Sequence, residues 1–313
     1  MASSEITMAD DKQRVVSTFS IVGYDPATGE LGVAVASRFF AVGTVVPWAR
    51  AGIGAVATQS FANTSFGWRG LDLLSQGATP DQVVDILLQN DEKADQRQFG
   101  IVNGEGRATT YTGKDCLPWA GGRSGSNYAI QGNILTGEAV VIAMEETFLK
   151  TPGSLAERLF AALLAGHAQG GDARGKQSAA LIIVKEKAGY GGFTDRAIDI
   201  RVDDHAEPFK ELERLLTLGR INYAWNEGWT LFTQDKFDKA LPPMEETAKL
   251  APFNPEVLYD LAVIRLAGGD MEGSLQALDK ALSLNPKLKS QAAGDGDLDR
   301  LRTDKRFQKL IGK

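Results

Sequence analysis

Few side chains in this 313-residue chain suit nucleophilic or metal chemistry. The two histidines, His167 and His205, form no HExxH pattern and no paired ligand spacing, so zinc catalysis has no ligand set. His205 follows two aspartates after the final strand, a poor setting for the base of a serine triad. His167 closes a helix, where a cation would meet the negative end of the dipole. The single cysteine, Cys116, rules out an intrachain disulfide or a multi-cysteine metal cluster, and no base adjoins it in sequence. There is no P-loop, and Gly104–Gly106 falls in a hairpin rather than a strand-to-helix turn. No metal or other cofactor is expected.

A hydroxyl that needs no histidine remains. Threonine or serine at a free chain terminus can use its own α-amine as the base, since that amine titrates near ~7.7–8.0. A nearby cation depresses the amine further, and neutral amides can hold the oxyanion. The stretch STFSIVGYDPATGELGVAVASRFFAVG, residues 17–43, supplies such parts at its two ends. Thr18, with Ser17 and Ser20, opens it; Ser37 and Arg38 close it. Gln59, Asn63 and Asn133 are candidate polar donors, and with Ser20, Arg174 and Gln177 they make up the candidate substrate-binding residues. The plainer reading makes Thr18 a β-branched strand residue and the Thr58–Ser65 cluster a strand exit with a helix N-cap. A second polar group lies in DARGKQ, where Asp172, Arg174 and Gln177 precede a buried strand. Its carboxylate could orient Arg38 or bind a substrate cation, or the turn could be an Asp–Arg loop that satisfies itself.

The elements that must position these groups read as follows. Residues 18–22 and 31–35 are β-rich and flank a turn shaped by Pro26 and Gly29, so they form an antiparallel hairpin that brings Thr18 beside Arg38. Residues 53–60 form a strand rich in small residues. Helices follow at 67–75 and 80–89, the second with Thr79 at N-cap and Pro80 at N1. A hairpin spans 98–111, and residues 113–125 read as a long irregular loop over a site. A strand at 128–135, helices at 137–148 and 154–168, and strands at 179–184 and 197–202 complete this part. Blocks of strands alternate with blocks of helices, which predicts an α+β fold of stacked antiparallel sheets covered by helices.

From about Gly219 the pattern becomes all helix, with an internal repeat of 34 residues. Gly228 matches Ala262, Ala240 matches Ser274, Met244 matches Leu278, and Pro252 matches Pro286. That is the tetratricopeptide pattern. Pro242 and Pro243 predict a kink or early break in the second helix of the first copy. A tail helix is expected at 298–311, and two repeats would need it or the first domain as a cap. The expected domains are a flexible arm at 1–14, a sandwich at 15–206, a linker helix at 207–218 and the helical domain at 219–313.

The segment TFSIVGYDPATGELGVAVASRFFAVGTVVPWARAGIGAVATQS, with GGDARGKQSAAL further on, resembles an uncharacterised bacterial family. The resemblance runs from Val15 to about Asp204. It implies the four-layer αββα sandwich of the N-terminal-nucleophile (Ntn) hydrolases, and it places the nucleophile's role on Thr18. Seventeen residues precede Thr18, so an amine base there requires a cut before it.

Two functions are consistent with this reading. The first is hydrolysis of a C–N bond in a small amide or peptide-like compound. Thr18 attacks, Arg38 tunes its amine, and asparagine and glutamine amides hold the oxyanion. The second is a catalytically silent sandwich that binds a partner protein, or a second copy, through residues 219–313, with Tyr223, Trp225, Trp229, Tyr259 and Arg265 facing a groove. A net charge of −6 argues against nucleic acid or an anionic membrane as an obligatory partner. No apolar run reaches the ~18 residues needed to span a bilayer. The opening MASSEITMADDKQR is acidic without an apolar core, so the expected location is the cytoplasm.

Overall fold

A computed structural model describes residues 18–312. The arm expected at 1–14, and Val15 and Ser17, lie outside the described residues. The chain divides into two compact units, one holding residues up to Glu186 together with Asp195–Leu216, the other holding Lys187–Thr194 and Thr217 onward.

The first unit is a mixed α+β fold built on two antiparallel sheets. Its strands are β1 (Thr18–Asp25), β2 (Glu30–Ser37), β3 (Pro47–Arg50), β4 (Gly54–Ser60), β5 (Arg97–Asn103), β6 (Ala108–Thr112), β7 (Gly121–Gly125), β8 (Tyr128–Asn133), β9 (Ser178–Val184) and β10 (Arg196–Val202). One sheet has the order β10-β9-β2-β1-β8-β7, the other β3-β4-β5-β6. Two of these strands depart from expectation. β3 was hidden by its opening proline and half-exposed residues, and β7 lies inside the stretch expected to be an irregular loop. β7 has the sequence GGRSG, which offers no side-chain alternation; pairing with β8 makes it a strand.

Helices α1 (Ser65–Ser75) and α2 (Pro80–Gln89) cover the outer face of the four-stranded sheet through Phe66, Leu71, Leu74, Val83 and Leu87. Thr79 accepts from the Gln82 N–H while the Gln82 side chain accepts from the Thr79 N–H, closing a capping box ahead of Pro80. Helices α3 (Ala139–Lys150) and α4 (Leu155–Ala168) cover the outer face of the six-stranded sheet. Gly23 and Gly32, paired across β1 and β2, leave the space that Leu159 of α4 fills. Between the sheets lies a third apolar layer that includes Val22, Val33, Ala55, Val102, Ala129 and Ile182.

The second unit is helical. Helix α5 (Pro208–Phe232) includes the linker helix expected at 207–218 and continues to Phe232. It is followed by α6 (Phe237–Leu250), α7 (Pro255–Ala267), α8 (Met271–Leu284), α9 (Leu288–Gly294) and α10 (Lys305–Ile311). Gly228 sits against the Ala240 carbonyl and Met244, and Ala262 and Ser274 are fully buried, so small residues occupy the matched positions of both copies. The break expected at Pro242 and Pro243 does not occur, and α6 is one helix. The two prolines are adjacent, so the lost N–H groups fall together, and buried Ala240, Met244 and Thr247 hold the helix on both sides of them. The single tail helix expected at 298–311 is instead a short 3₁₀ turn over Gly296–Leu301 followed by α10, with Leu298, Leu301 and Phe307 buried. No helix among the described residues is long and apolar enough to cross a membrane.

Candidate functional site

The side chains that alternate inward from the two sheets form rows. In the six-stranded sheet one row reads Ser178, Ser37, Thr18, Asn133 across four strands, and the next reads Ala180, Val35, Ser20, Gln131. In the facing sheet one row reads Gln59, Gln98, Thr112 and the next Ala57, Gly100, Thr110. The inter-sheet space is therefore polar at the end where β1 begins and apolar at the other. Period-two alternation produces this directly, because each polar residue follows its neighbour by two positions.

All the key members are fully buried: Thr18, Ser20, Gln59, Gln98, Gln131 and Asn133. Buried amides of this kind must be hydrogen-bonded, and each of the four makes at least one bond. The Thr110 hydroxyl donates to Gln131 Oε1 at 3.2 Å, and Gln131 Nε2 donates to Ser20 Oγ at 2.6 Å. Ser20 donates in turn to Gln59 Oε1 at 2.6 Å. Gln59 Nε2 donates to the Thr18 carbonyl at 3.1 Å and to Gln98 Oε1 at 2.8 Å. Asn133 Nδ2 also donates to Gln98 Oε1, at 2.9 Å. Thr18 Oγ1 donates to Ser37 Oγ at 3.3 Å. Gly100 leaves the room that the Gln131 amide occupies; a Cβ there would collide with it.

The predicted residues thus separate into groups. Thr18, Ser20, Gln59 and Asn133 come together in this network. Sequence reasoning assigned Ser20 and Gln59 to substrate; their side-chain donors and acceptors are occupied within the protein. Gln98 and Gln131 were missed. Polar residues in a strand read as its solvent side, and only the second sheet facing them makes both sides interior.

Asp172 lies at the same end of the sheet. Its Oδ2 accepts from the Arg38 backbone N–H at 2.8 Å, just past β2, and Asp172 bridges Leu135, just past β8. Since β1 lies between β2 and β8, the 4%-exposed Asp172 spans the end of the strand that Thr18 begins. Its carboxylate also accepts from the Arg174 backbone N–H at 2.9 Å and pairs with the Arg174 guanidinium at 3.1 Å. The carboxylate therefore meets the Arg38 backbone and not its guanidinium, and Arg174 is held by Asp172. The Arg38 guanidinium donates to Gln177 Oε1 at 3.0 Å, on the β9 side of β2 and away from β1. Gln177 also donates to Asp204 at 3.1 Å.

Asn63 does not join the network. It donates to Asp91 at 3.1 Å and accepts from the Ser65 hydroxyl at 2.8 Å, at the start of α1. Asp91 is also held by Arg97 at 2.9 Å. Burial alone would raise the Asp91 carboxyl, but the bonds from Arg97, Asn63 and the Lys93 N–H outweigh it and bring it down to about 2.

Other candidates are occupied structurally. Burial pushes the Cys116 thiol up, away from a reactive thiolate. Burial, with Lys176 nearby, pushes His167 down, and it stacks on Phe209 at 4.1 Å, so it is not the helix-end cation expected. The imidazole Nδ1 of His205 accepts the Glu207 N–H at 2.9 Å ahead of α5. In the helical unit Trp225 donates to Asp260 at 2.7 Å, Tyr259 to Asp295 at 2.7 Å, and Arg265 pairs with Glu245 at 3.0 Å. These three contacts hold helices together. A groove of about 500 Å³ lies instead beside α8 and α10, with Leu275, Leu282 and Leu310 among its lining residues. Among the described residues no cluster of three or more histidine, cysteine or acidic side chains could hold a metal ion.

Antiparallel sheets with a buried polar end, joined to a helical region, define a mixed α+β protein in which a concentrated polar interior surrounds Thr18. The chain belongs to DUF1028, a family of unknown function, which matches residues 18–212 and so begins at Thr18. It is similar to the crystal structure of protein SPO2555 from Silicibacter pomeroyi, described as DUF1028, at 29% identity and a TM-score of 0.58. The similarity covers 64% of this chain and 87% of that one. No curated protein matches the chain.

Proposed function

We propose that the first unit is an Ntn-type amidohydrolase acting on a small, uncharged amide or peptide-like compound, with Thr18 as nucleophile once the chain has been cut before it. The observation that carries this reading is the position of Thr18. It heads the strand at the polar end of the inter-sheet space, flanked by Ser37 and Asn133, and its carbonyl is fixed by Gln59. The succession of helices, sheet, sheet and helices supports the αββα reading.

In the mechanism the freed α-amine of Thr18 takes the proton from its own hydroxyl as Oγ1 attacks the amide carbonyl. The Asn133 amide, on the adjacent strand, stabilises the oxyanion. Its collapse breaks the C–N bond, and the amine leaves with the proton held by the α-ammonium. Water activated by the same amine then hydrolyses the Thr18 ester and restores the free hydroxyl. The Asp172–Arg174 pair, across the end of β1, sets the charge around the amine, with Arg38 contributing from beyond β2. The inward rows around Thr18 hold only neutral donors and acceptors, which favours an uncharged amide over an acid or an amine. Intact-mass measurement on the purified protein tests the reading. A species beginning at Thr18 is expected, and a chain that keeps the preceding residues in every preparation removes the amine base.

A second reading rests on the groove beside α8 and α10. The 34-residue repeat supports reading the helices of residues 217–312 as a tetratricopeptide-like module, and Glu272 and Asp279 on α8 are of opposite charge to Lys289, Arg306 and Lys309. A partner protein or a second copy with an apolar stripe between opposite charges would suit it. Light scattering of the full chain against Leu310→Arg tests self-association; identical monomer masses exclude it.

A further inference from the structure

Gln98 occupies a central place in the network without touching Thr18. Its Oε1 accepts two bonds, from Gln59 at 2.8 Å and from Asn133 at 2.9 Å. Its Nε2 donates to the Gly132 carbonyl at 2.7 Å and to Thr112 Oγ1 at 3.0 Å. A backbone carbonyl can only accept. Gly132 therefore fixes which end of the Gln98 amide is nitrogen, and Gln98 Oε1 must face Gln59 and Asn133. That orientation in turn fixes Gln59, whose second N–H reaches the Thr18 carbonyl and whose oxygen takes the Ser20 hydrogen. Turning the Gln98 amide over would set N–H against N–H at two bonds and oxygen against oxygen at a third. One side chain on the second sheet thus determines the direction of the hydrogen bonds around the first residue of β1.

We infer that Gln98 is the positioning residue of the Thr18 site: it holds Gln59 on the Thr18 carbonyl and Asn133 beside the Thr18 hydroxyl. Without it the Gln59 and Asn133 amides each lose an acceptor for their N–H groups, and the dipoles beside Thr18 are held less firmly. The inference rests on the hydrolase reading given above. It assigns to Gln98 a role distinct from contact with substrate.

The test uses the full-length protein as purified and a β-lactone, which acylates a hydroxyl nucleophile. The rate of labelling at Thr18 is followed by intact mass and peptide mapping from pH 5 to 9. The variants are Gln98→Met, of similar size without the amide, and Gln98→Glu, which keeps the acceptor and adds charge. Gln98→Met is expected to label at least tenfold more slowly at temperatures well below its melting point. Gln98→Glu is expected to move the pH midpoint of labelling upward, because a nearby carboxylate favours the protonated Thr18 amine. A wild-type rate and midpoint in both variants, whatever their melting temperatures, overturns the positioning role and leaves the hydrolase reading standing. A wild-type chain that neither begins at Thr18 nor takes the label there overturns both.

Discussion

The two units bury very different interiors. In the first, Thr18, Ser20, Ser37, Gln59, Gln98, Gln131, Asn133 and Ser178 are at most 2% exposed. In the second, the described residues bury chiefly aliphatic side chains and alanines, with Thr247 and Ser274 the buried polar residues. The Thr247 hydroxyl donates to the Pro243 carbonyl one turn back in α6, and Ser274 takes a position where a small side chain lets helices approach. The helical interior is built for packing. The sandwich interior spends part of its volume on amides, which apolar groups of the same shape could replace with little loss of stability. On the proposed hydrolase reading, the polar end of the two sheets is where the reaction would take place.

The largest test of this contrast is in the helical unit. Leu278 is fully buried at a matched repeat position, and Leu278→Ala is expected to cost about 2–5 kcal/mol. Calorimetry should show the loss in one transition; equal shifts throughout would mean that the units do not unfold separately.

Next is a strongly perturbed carboxyl among the helices. Burial first, then Asp295 and Glu256, push Asp260 up to about 6 against the bond from Trp225. A raised carboxyl weakens folding as pH climbs from the unfolded value near 4 through 6, by up to about 3 kcal/mol above that. Asp260→Asn keeps an acceptor for Trp225, so it should raise the melting temperature at pH 8 and leave it unchanged at pH 4. A flat difference across pH removes the assignment.

Asp91 in the first unit has the opposite sign. Its depressed value contributes about 2 kcal/mol that is present above pH 4 and lost as pH falls toward 2. Asp91→Asn should therefore destabilise at pH 7 and have a diminishing effect in acid, measured by urea unfolding at each pH. Last, Ser20→Ala leaves Gln59 Oε1 and Gln131 Nε2 each short of a partner, an expected loss of about 1.5 kcal/mol. A stability gain instead would mean that the network is dispensable to the fold.

Much of the scaffold was legible in local chemistry. Thr79, Pro80 and Gln82 announced the start of α2, and the spacing of Gly228, Ala240 and Met244 announced the crossing of α5 and α6. The hairpin of β1 and β2 followed from two β-rich runs and a turn, but it sets Thr18 against Ser37, and the Arg38 guanidinium turns to Gln177 instead of to Thr18 as expected. The site was half legible. Thr18, Ser20, Gln59 and Asn133 could be picked out by type, but their bonding could not, because it depends on the facing sheet. Gln98 and Gln131 are indistinguishable in sequence from solvent-facing strand residues until β5 and β8 are placed on opposite sides of one interior. β7 stayed hidden because glycine has no side chain to signal pairing. The Asp172–Arg174 contact is local and was one of two readings; the bridge from Asp172 past β2 and β8 is long-range and had no local sign.

The graded rows between the sheets also bear on how the sandwich admits solvent. At the end lined by Val22, Ala55 and Val102, entering water finds no partner. At the end of Thr18 and Gln98 it can replace one amide contact with another at small cost. Separation of the sheets should thus begin at the start of β1 and travel toward the apolar seam. Amide protons of β1 and β8 near Thr18 should then exchange with deuterium sooner than those near Val22 and Ala129, though all belong to the same two strands.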